Sequence, residues 1–332
     1  MIWYNDKSAA DSVVISTRAR YARNLEDYPF DLSDSSVVCA ELTDRIYQAM
    51  PDGFLATSME NISQTERRAL LEQHIISPDF IESKHGILLS NEEKGIYLMT
   101  PEEDHIRLQV IAKGYCPEKV LEQANEVLLS LSAKLKFSFD TRLGYLTRCP
   151  TNLGKGLRLS VMVFLPALTL GGDIARLAES LSGLGFNLRG MYGEGSGSKG
   201  CLYQISNRSS MGISQDELIS SFASVVERIK TAEEHARARF DQDECTDIAG
   251  RAYGILAFAG KLSYDEFLKH YASLRLGYAM ALDLPENCNI ALLDSMTIEL
   301  APGMITKKYE CQNSLQRDSA RARELKYKLK GD

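Results

Sequence analysis

Five arginines, Arg18, Arg20, Arg107, Arg158 and Arg189, lie at the ends of segments that read as strands or in the loops beside them. A guanidinium fork grips two phosphate oxygens at once and keeps its charge at any working pH. Several forks converging on one sheet face would cradle a polyanion such as the phosphates of ATP. Taken singly, each is also what a solvated surface arginine looks like. Glu102 and Glu103, followed by Asp104-His105-Ile106-Arg107, place paired carboxylates a few residues from one of these phosphate-ligand candidates. An exposed charged turn would explain the run by itself. A guanidinium acceptor gives it more meaning, because such a group is a poor nucleophile until a carboxylate aligns it and takes its proton. Glu194 offers a second carboxylate.

Cys149, in Arg148-Cys149-Pro150-Thr151-Asn152-Leu153-Gly154, sits in a turn ahead of a strand. A lone cysteine is usually a small buried hydrophobe, but arginines nearby favour the thiolate, which would help hold a cationic acceptor. Glu194 belongs to the loop Gly193–Gly200. That loop contains Gly-x-Gly-x-x-Gly at 195 to 200, yet a strand follows where dinucleotide binding needs a helix. It has no Gly-Lys-Ser/Thr, and the chain carries no His-Arg-Asp or Asp-Phe-Gly, so neither a P-loop nor the ordinary protein kinase pattern is present. The glycines suit a loop that closes over a substrate.

The elements that must carry these groups follow from periodicity. Val13 to Ser16 reads as a strand whose polar end bears Arg18 and Arg20 on one side, two residues apart. Helical patterns follow at 37 to 50 and 66 to 74, then three short strand candidates at 86–89, 95–99 and 105–112, as in an antiparallel meander. Residues 117 to 135 form an amphipathic helix with proline in its first turn. A strand at 159–165, a helix at 172–184, strands at 186–191 and 201–205, and a long helix over 214–239 with a Ser214/Glu217 capping box come next. Beyond Gln242 strand signals vanish, and the remaining pattern is helical. The expectation is an α+β fold, an antiparallel sheet flanked by helices over residues 1–240, followed by a small all-α domain over 241–332.

Composition narrows the class. With 332 residues, 44% apolar and 25% charged, the chain is an ordinary globular protein with room for two units. No apolar run approaches the roughly 20 residues of a membrane helix, and the first residues lack the basic flank and apolar stretch of a signal peptide, so a cytoplasmic location is expected. The seven cysteines are scattered without a Cys-x-x-Cys pair, which argues against structural disulfides and zinc. A net charge of −7 disfavours nucleic acid as a partner.

Together these blocks resemble the ATP:guanidino phosphotransferases, the family of creatine and arginine kinases and of the bacterial protein arginine kinases. The residues that carry the resemblance are Ser16-Thr17-Arg18-Ala19-Arg20 with Ala22-Arg23-Asn24, Glu102 to Arg107, Cys149 to Gly154 with Arg158, and Arg189 to Glu194; Ile205-Ser206-Asn207 is a weaker fifth block. The resemblance implies that Arg18, Arg20, Arg107, Arg158 and Arg189 bind the phosphates of ATP. It implies Glu103 as base or orienter, Glu194 as a second clamp and Cys149 as a substrate contact, with Mg2+ as cofactor. Pro101 stands where the family usually has asparagine, and Ser210 where creatine kinases have arginine.

Two features resemble the protein-directed branch. No helical domain of the kind that covers the small-guanidine pocket of metabolite kinases precedes the first strand. Glu66 to Pro78, and Arg317-Asp318-Ser319-Ala320-Arg321-Ala322 in the helical domain, match the bacterial pattern. On a helix, residues 317, 318 and 321 share a face, where an acid could meet guanidinium and arginines phosphate. The resemblance therefore implies a phosphoarginine-binding site at Arg317, Asp318 and Arg321 and a homodimer. It also implies a stress-related role with an McsA-like zinc-finger activator and a Clp-type protease as partners. A kinase of free arginine or another small guanidine, or a non-catalytic phosphoarginine-binding adaptor, are the alternatives.

Overall fold

The computed structural model describes residues 2–6, 11–32, 35–191 and 198–330. Its first strand, β1 (Val14–Arg23), shows how local sequence sets up the site. Thr17, Ala19 and Tyr21 are buried, while Arg18 and Arg20 are half-buried on the opposite face, as a period of two requires. The Tyr21 hydroxyl lies 3.1 Å from Asn125 Oδ1, and Thr17 Oγ1 donates to Gly114 O at 2.7 Å. The strand outruns the expected Val13–Ser16 segment, so both arginines stand within it rather than beyond its end.

After β1 come α1 (Ser36–Ala49), β2 (Leu55–Ser58), α2 (Gln64–Glu72), β3 (Ile87–Asn91), β4 (Ile96–Thr100), β5 (Ile106–Lys113) and α3 (Pro117–Ser132). A two-stranded hairpin, β6 (Phe139–Asp140) with β7 (Gly144–Tyr145), precedes β8 (Leu157–Phe164). Then follow α4 (Pro166–Leu170), α5 (Ile174–Gly183), β9 (Phe186–Gly190), β10 (Leu202–Asn207) and α6 (Gln215–Arg237). The helical remainder is α7 (Gln242–Phe258), α8 (Tyr264–Ala279), α9 (Ile290–Glu299), α10 (Pro302–Tyr309) and α11 (Ser314–Lys330). Among the described residues the main sheet has the order β2-β3-β4-β5-β1-β8-β10-β9. The expected meander is β3, β4 and β5, all antiparallel; β2 and the β6/β7 hairpin are elements the sequence reading did not contain.

The chain divides into two compact units whose boundary cuts strands rather than falling at one point in the sequence. The first comprises Met1–Trp3, Ser16–Val161 and Ser206–Ala223. In it α3 packs on β5, and α2 starts with a Ser63/Glu66 capping box that satisfies two otherwise orphaned amides. The second comprises Tyr4–Ile15, Met162–Ile205 and Ser224–Asp332. Its core joins Ile15, Phe164 and Leu202 to Leu256, Phe267, Tyr271, Leu293, Leu300 and Leu325 of the helices. Among the described residues no helix is long and apolar enough to cross a membrane.

Candidate active site

Within the first unit, antiparallel pairing decides which side chains meet. Arg18 lies opposite Ile111, Arg20 opposite Gln109 and Ala22 opposite Arg107, so Arg107 shares the face of Arg18 and Arg20. Arg158, the second residue of β8, joins them, and its Nη2 donates to Ser206 Oγ at 2.9 Å. A cleft of about 180 Å³ gathers Arg20, Arg107, Arg158, Glu102, Glu103 and Cys149 along its walls.

The electrostatics of this face are those of a site short of negative charge. Burial, then the charges of Arg107 and Arg158, push the Arg18 guanidinium down to about 9, which still leaves it cationic at neutral pH. Arg20 is driven well below its ordinary value by burial and by Arg18, Arg107 and Arg158, with Glu102 alone opposing. Arg20 Nε is buried with no hydrogen-bond partner among the described residues. A buried donor left so costs about 1–3 kcal/mol, and phosphate oxygens would supply the missing acceptors.

The two glutamates differ sharply. The Glu102 carboxylate is only 2% exposed and accepts from Arg107 Nη1 at 2.7 Å, from Ser77 Oγ at 2.5 Å and, through Oε2, from the Glu103 amide at 2.7 Å. It is a buttress that fixes Arg107. Glu103 stands exposed at the cleft, its carboxyl pushed up by partial burial and then by Asp104 and Glu102, against the pull of Arg107. A carboxylate with raised proton affinity, open to solvent beside a phosphate cradle, is suited to orient a guanidinium and take its proton.

Cys149 precedes a one-turn 3-10 helix (Pro150–Asn152), with its Sγ 3.0 Å from Thr151 Oγ1. The turn is held close to β1 by Gly156, whose carbonyl accepts from the Ala22 amide. Gly156 has φ +61°, and a Cβ there would come within 2.6 Å of Ala22 O, so only glycine fits. Arg23 fixes the other side, donating to Ala22 O and Lys155 O with its guanidinium 3.5 Å from the Tyr145 ring centre.

Residues 40–236 match the family model of the ATP:guanido phosphotransferase C-terminal catalytic domain, and residues 242–331 that of the protein-arginine kinase McsB C-terminal domain. A protein-arginine kinase of an Exiguobacterium species is 35% identical over 323 residues, covering 96% of this chain and 92% of that one. The protein-arginine kinase of Clostridium tetani is 34% identical, covering 99% and 98%. The chain belongs to the protein-arginine kinase family, a branch of the ATP:guanido phosphotransferases. It is thus an ATP-dependent phosphotransferase, and the family resemblance read from its motifs is borne out. The expected fold is borne out too. A lombricine kinase superposes with a TM-score of 0.61 at 22% identity, covering 72% of this chain and 71% of that one, and a duplicated taurocyamine kinase from Schistosoma mansoni with 0.61 at 21%, covering 93% and 49%.

Against the family pattern, the structure brings Arg18, Arg20, Arg107, Arg158, Glu103 and Cys149 together in one unit. Arg189 is exposed on β9 of the other unit, and Glu194 lies outside the described residues. Ser210, where creatine kinases have arginine, is buried, accepting from the Leu157 amide and donating to Leu153 O; Arg208 is exposed. On α11, Arg321 is 1% exposed and donates to Leu300 O, Leu262 O and Asp318 Oδ1, while Arg317 is half-buried. Sequence reasoning missed Ser77 as the clamp on Glu102 and Tyr145 as the seat of Arg23; no local spacing signals either contact.

Proposed function

We propose that this protein transfers the γ-phosphoryl group of Mg-ATP to arginine side chains of other proteins. The observation that carries the reading is the electron-poor arginine face of β1, β5 and β8 beside the open carboxylate of Glu103, in a chain matching protein-arginine kinases over nearly its whole length. Arg18, Arg20, Arg107 and Arg158 hold the phosphates, with Arg189 as a further ligand. Glu103 and Glu194 align the acceptor guanidinium, with Cys149 as a contact. A guanidinium nitrogen attacks the γ-phosphorus in line, the bond to the bridging oxygen breaks toward ADP, and the proton from nitrogen passes to Glu103. Bound Mg2+ supplies neutralisation of the phosphate oxygens. Among the described residues no cluster of three potential ligands offers it a cage, which fits an ion carried largely by the nucleotide.

To the same proposal belong a catalytic domain over 1–240 and a helical domain over 241–332 that pairs two subunits and reads phosphoarginine at Arg317, Asp318 and Arg321. Because Arg321 already serves three acceptors, the ligand-facing part falls to Arg317 and Asp318. A cytoplasmic stress role, with an McsA-like zinc-finger activator and a Clp-type protease, completes it.

The test offers Mg-ATP with a generic protein and, in parallel, with free arginine, and follows acid-labile phosphate on arginine by mass spectrometry. Phosphoarginine on the protein is the expected product. Modification of free arginine alone would make the chain a metabolite kinase, and binding of phosphoarginine without any transfer would make it an adaptor.

A further inference from the structure

The two loops that border the acceptor side of the cleft, residues 101–105 with Glu103 and residues 146–149 with Cys149, meet at one buried side chain. Asn24, at the end of β1, is 1% exposed. Its Oδ1 accepts from the His105 amide at 2.8 Å, and its Nδ2 donates to Asp104 Oδ1 at 2.7 Å and to Leu146 O at 3.1 Å. Asp104, 3% exposed, uses the same Oδ1 to accept the Arg148 amide at 2.9 Å. Two oxygens and one nitrogen thus tie the phosphate-binding strand to both loops.

His105 completes the knot. Its ring Nδ1 accepts from the Leu25 amide at 3.0 Å, which leaves Nε2 as the protonated nitrogen, donating to Pro29 O at 2.9 Å. Burial, the largest influence on this ring, lowers its proton affinity, consistent with the neutral tautomer that the geometry requires. Every polar atom named here has a partner, so the network is rigid rather than merely buried.

We infer that Asn24 is a positioning residue: it holds Glu103 and Cys149 in fixed relation to the arginines of β1, so that an acceptor aligned by the two loops faces the phosphate cradle. The inference rests on the proposed phosphoryl transfer for its consequence, though not for its geometry. Asn24 is buried and does not line the cleft, so its loss should spare nucleotide binding and act on the transfer step. A misplacement of about 1 Å at a reacting centre can cost about a hundredfold.

Two measurements on the full chain test this. Amide hydrogen exchange of Asn24→Ala should quicken in 101–105 and 146–149 together, while β4 and α3 keep wild-type protection. In the transfer assay, kcat should fall about a hundredfold with the Kd for Mg-ADP within threefold of wild type. Asn24→Asp, of the same shape, sets a carboxylate against the Asp104 carboxylate and the Leu146 carbonyl and should loosen both loops; adding Asp104→Asn restores a donor facing an acceptor between 24 and 104 alone, with Leu146 O and the Arg148 amide still mismatched, and should recover protection in 101–105 but not in 146–149. Quickening in one loop only in Asn24→Ala, unchanged exchange in either folded single variant, or recovery of 146–149 in the double variant would overturn the inference. A purely structural role would lower the melting temperature without a local change in the two loops. Should the wild-type protein phosphorylate no arginine, the proposed function falls, while the exchange arms still decide whether Asn24 couples the loops.

Discussion

Because Glu102 is spent on Arg107, the Ser77 hydroxyl and the amide of Glu103, only Glu103 of the adjacent pair can meet a cationic acceptor. Charge at that one carboxylate should therefore govern the chemical step. Glu103→Gln keeps the size and removes the base, and general-base losses run to about 10²–10⁴-fold. Transfer is expected to fall by that order, with melting temperature and Mg-ADP affinity unchanged. Glu102→Gln should behave differently, raising the KM for ATP because Arg107 loses its fixed partner. The pH profile follows from sign. Burial, then Asp104 and Glu102, raise the Glu103 proton affinity, and in the proposed role it is the ionised form that accepts the proton. The acid limb of kcat/KM should thus lie above the ordinary glutamate value of about 4.3. A limb at or below it would remove Glu103 from the base role.

At the scale of elements, β1 is a strand whose crowded arginines repel one another, a repulsion that a bound polyanion would relieve. Arg18 and Arg20 crowd Arg107 and Arg158 on one face; burial and the charges of Arg107 and Arg158 lower the proton affinity of both Arg18 and Arg20, and Arg18 adds to the effect on Arg20. Replacing Arg18 with Met should leave the ligand-free protein as stable or more so. It should also shrink the stabilisation conferred by Mg-ATP; a tenfold weaker Kd removes about 1.4 kcal/mol at saturating ligand. Thermal melts across a nucleotide titration measure both, and an undiminished ligand effect would take Arg18 out of the phosphate site. What the sequence made legible here is the chemistry: arginines two apart must share a strand face, and the residue types of the acidic loop and cysteine turn stood out by themselves. The extent of β1 was not legible, because an arginine pair reads as an exposed end, and pairing by β5 and β8 on either side is non-local. β2 was hidden for a related reason: Leu55 is 73% exposed and no apolar alternation marks it. The division of labour between Glu102 and Glu103 depends on Ser77, twenty-five residues away along the chain.

At the scale of the whole molecule, the second unit must be assembled from three separate stretches of chain, and a buried ionic cluster inside it shows how. Arg275, 0% exposed, forms a bidentate pair with Asp294 at 2.6 and 3.1 Å and donates also to Ser12 O and Asp11 O, with its guanidinium 4.3 Å from the Phe164 ring centre. Tyr271 donates to the same carboxylate at 2.9 Å. Nearby in the fold, Arg237 bridges Glu233 and Ser12 O, and Glu233 in turn accepts the amides of Ala167 and Leu168 at the start of α4. Carbonyls of the 11–12 segment, the α4 turn and the helices α8 and α9 are thereby joined by charge-assisted bonds rather than by apolar contact alone. Asp294→Ala strands a buried cation, which typically costs about 3–5 kcal/mol, a large part of the roughly 5–15 kcal/mol that keeps a domain folded. Replacing an isolated buried pair by apolar groups is often neutral, but here Arg275→Met with Asp294→Leu would also take Arg275 from the Asp11 carbonyl and the acceptor from the buried Tyr271 hydroxyl, while Ser12 O keeps Arg237. The double variant is therefore expected to stay destabilised, by at least the about 1–3 kcal/mol of an unsatisfied buried group. Urea unfolding midpoints of the two variants decide it: a double variant as stable as wild type would mean that Arg275 contributes only its ion pair, and that the Asp11–Ser12 segment is held by other contacts.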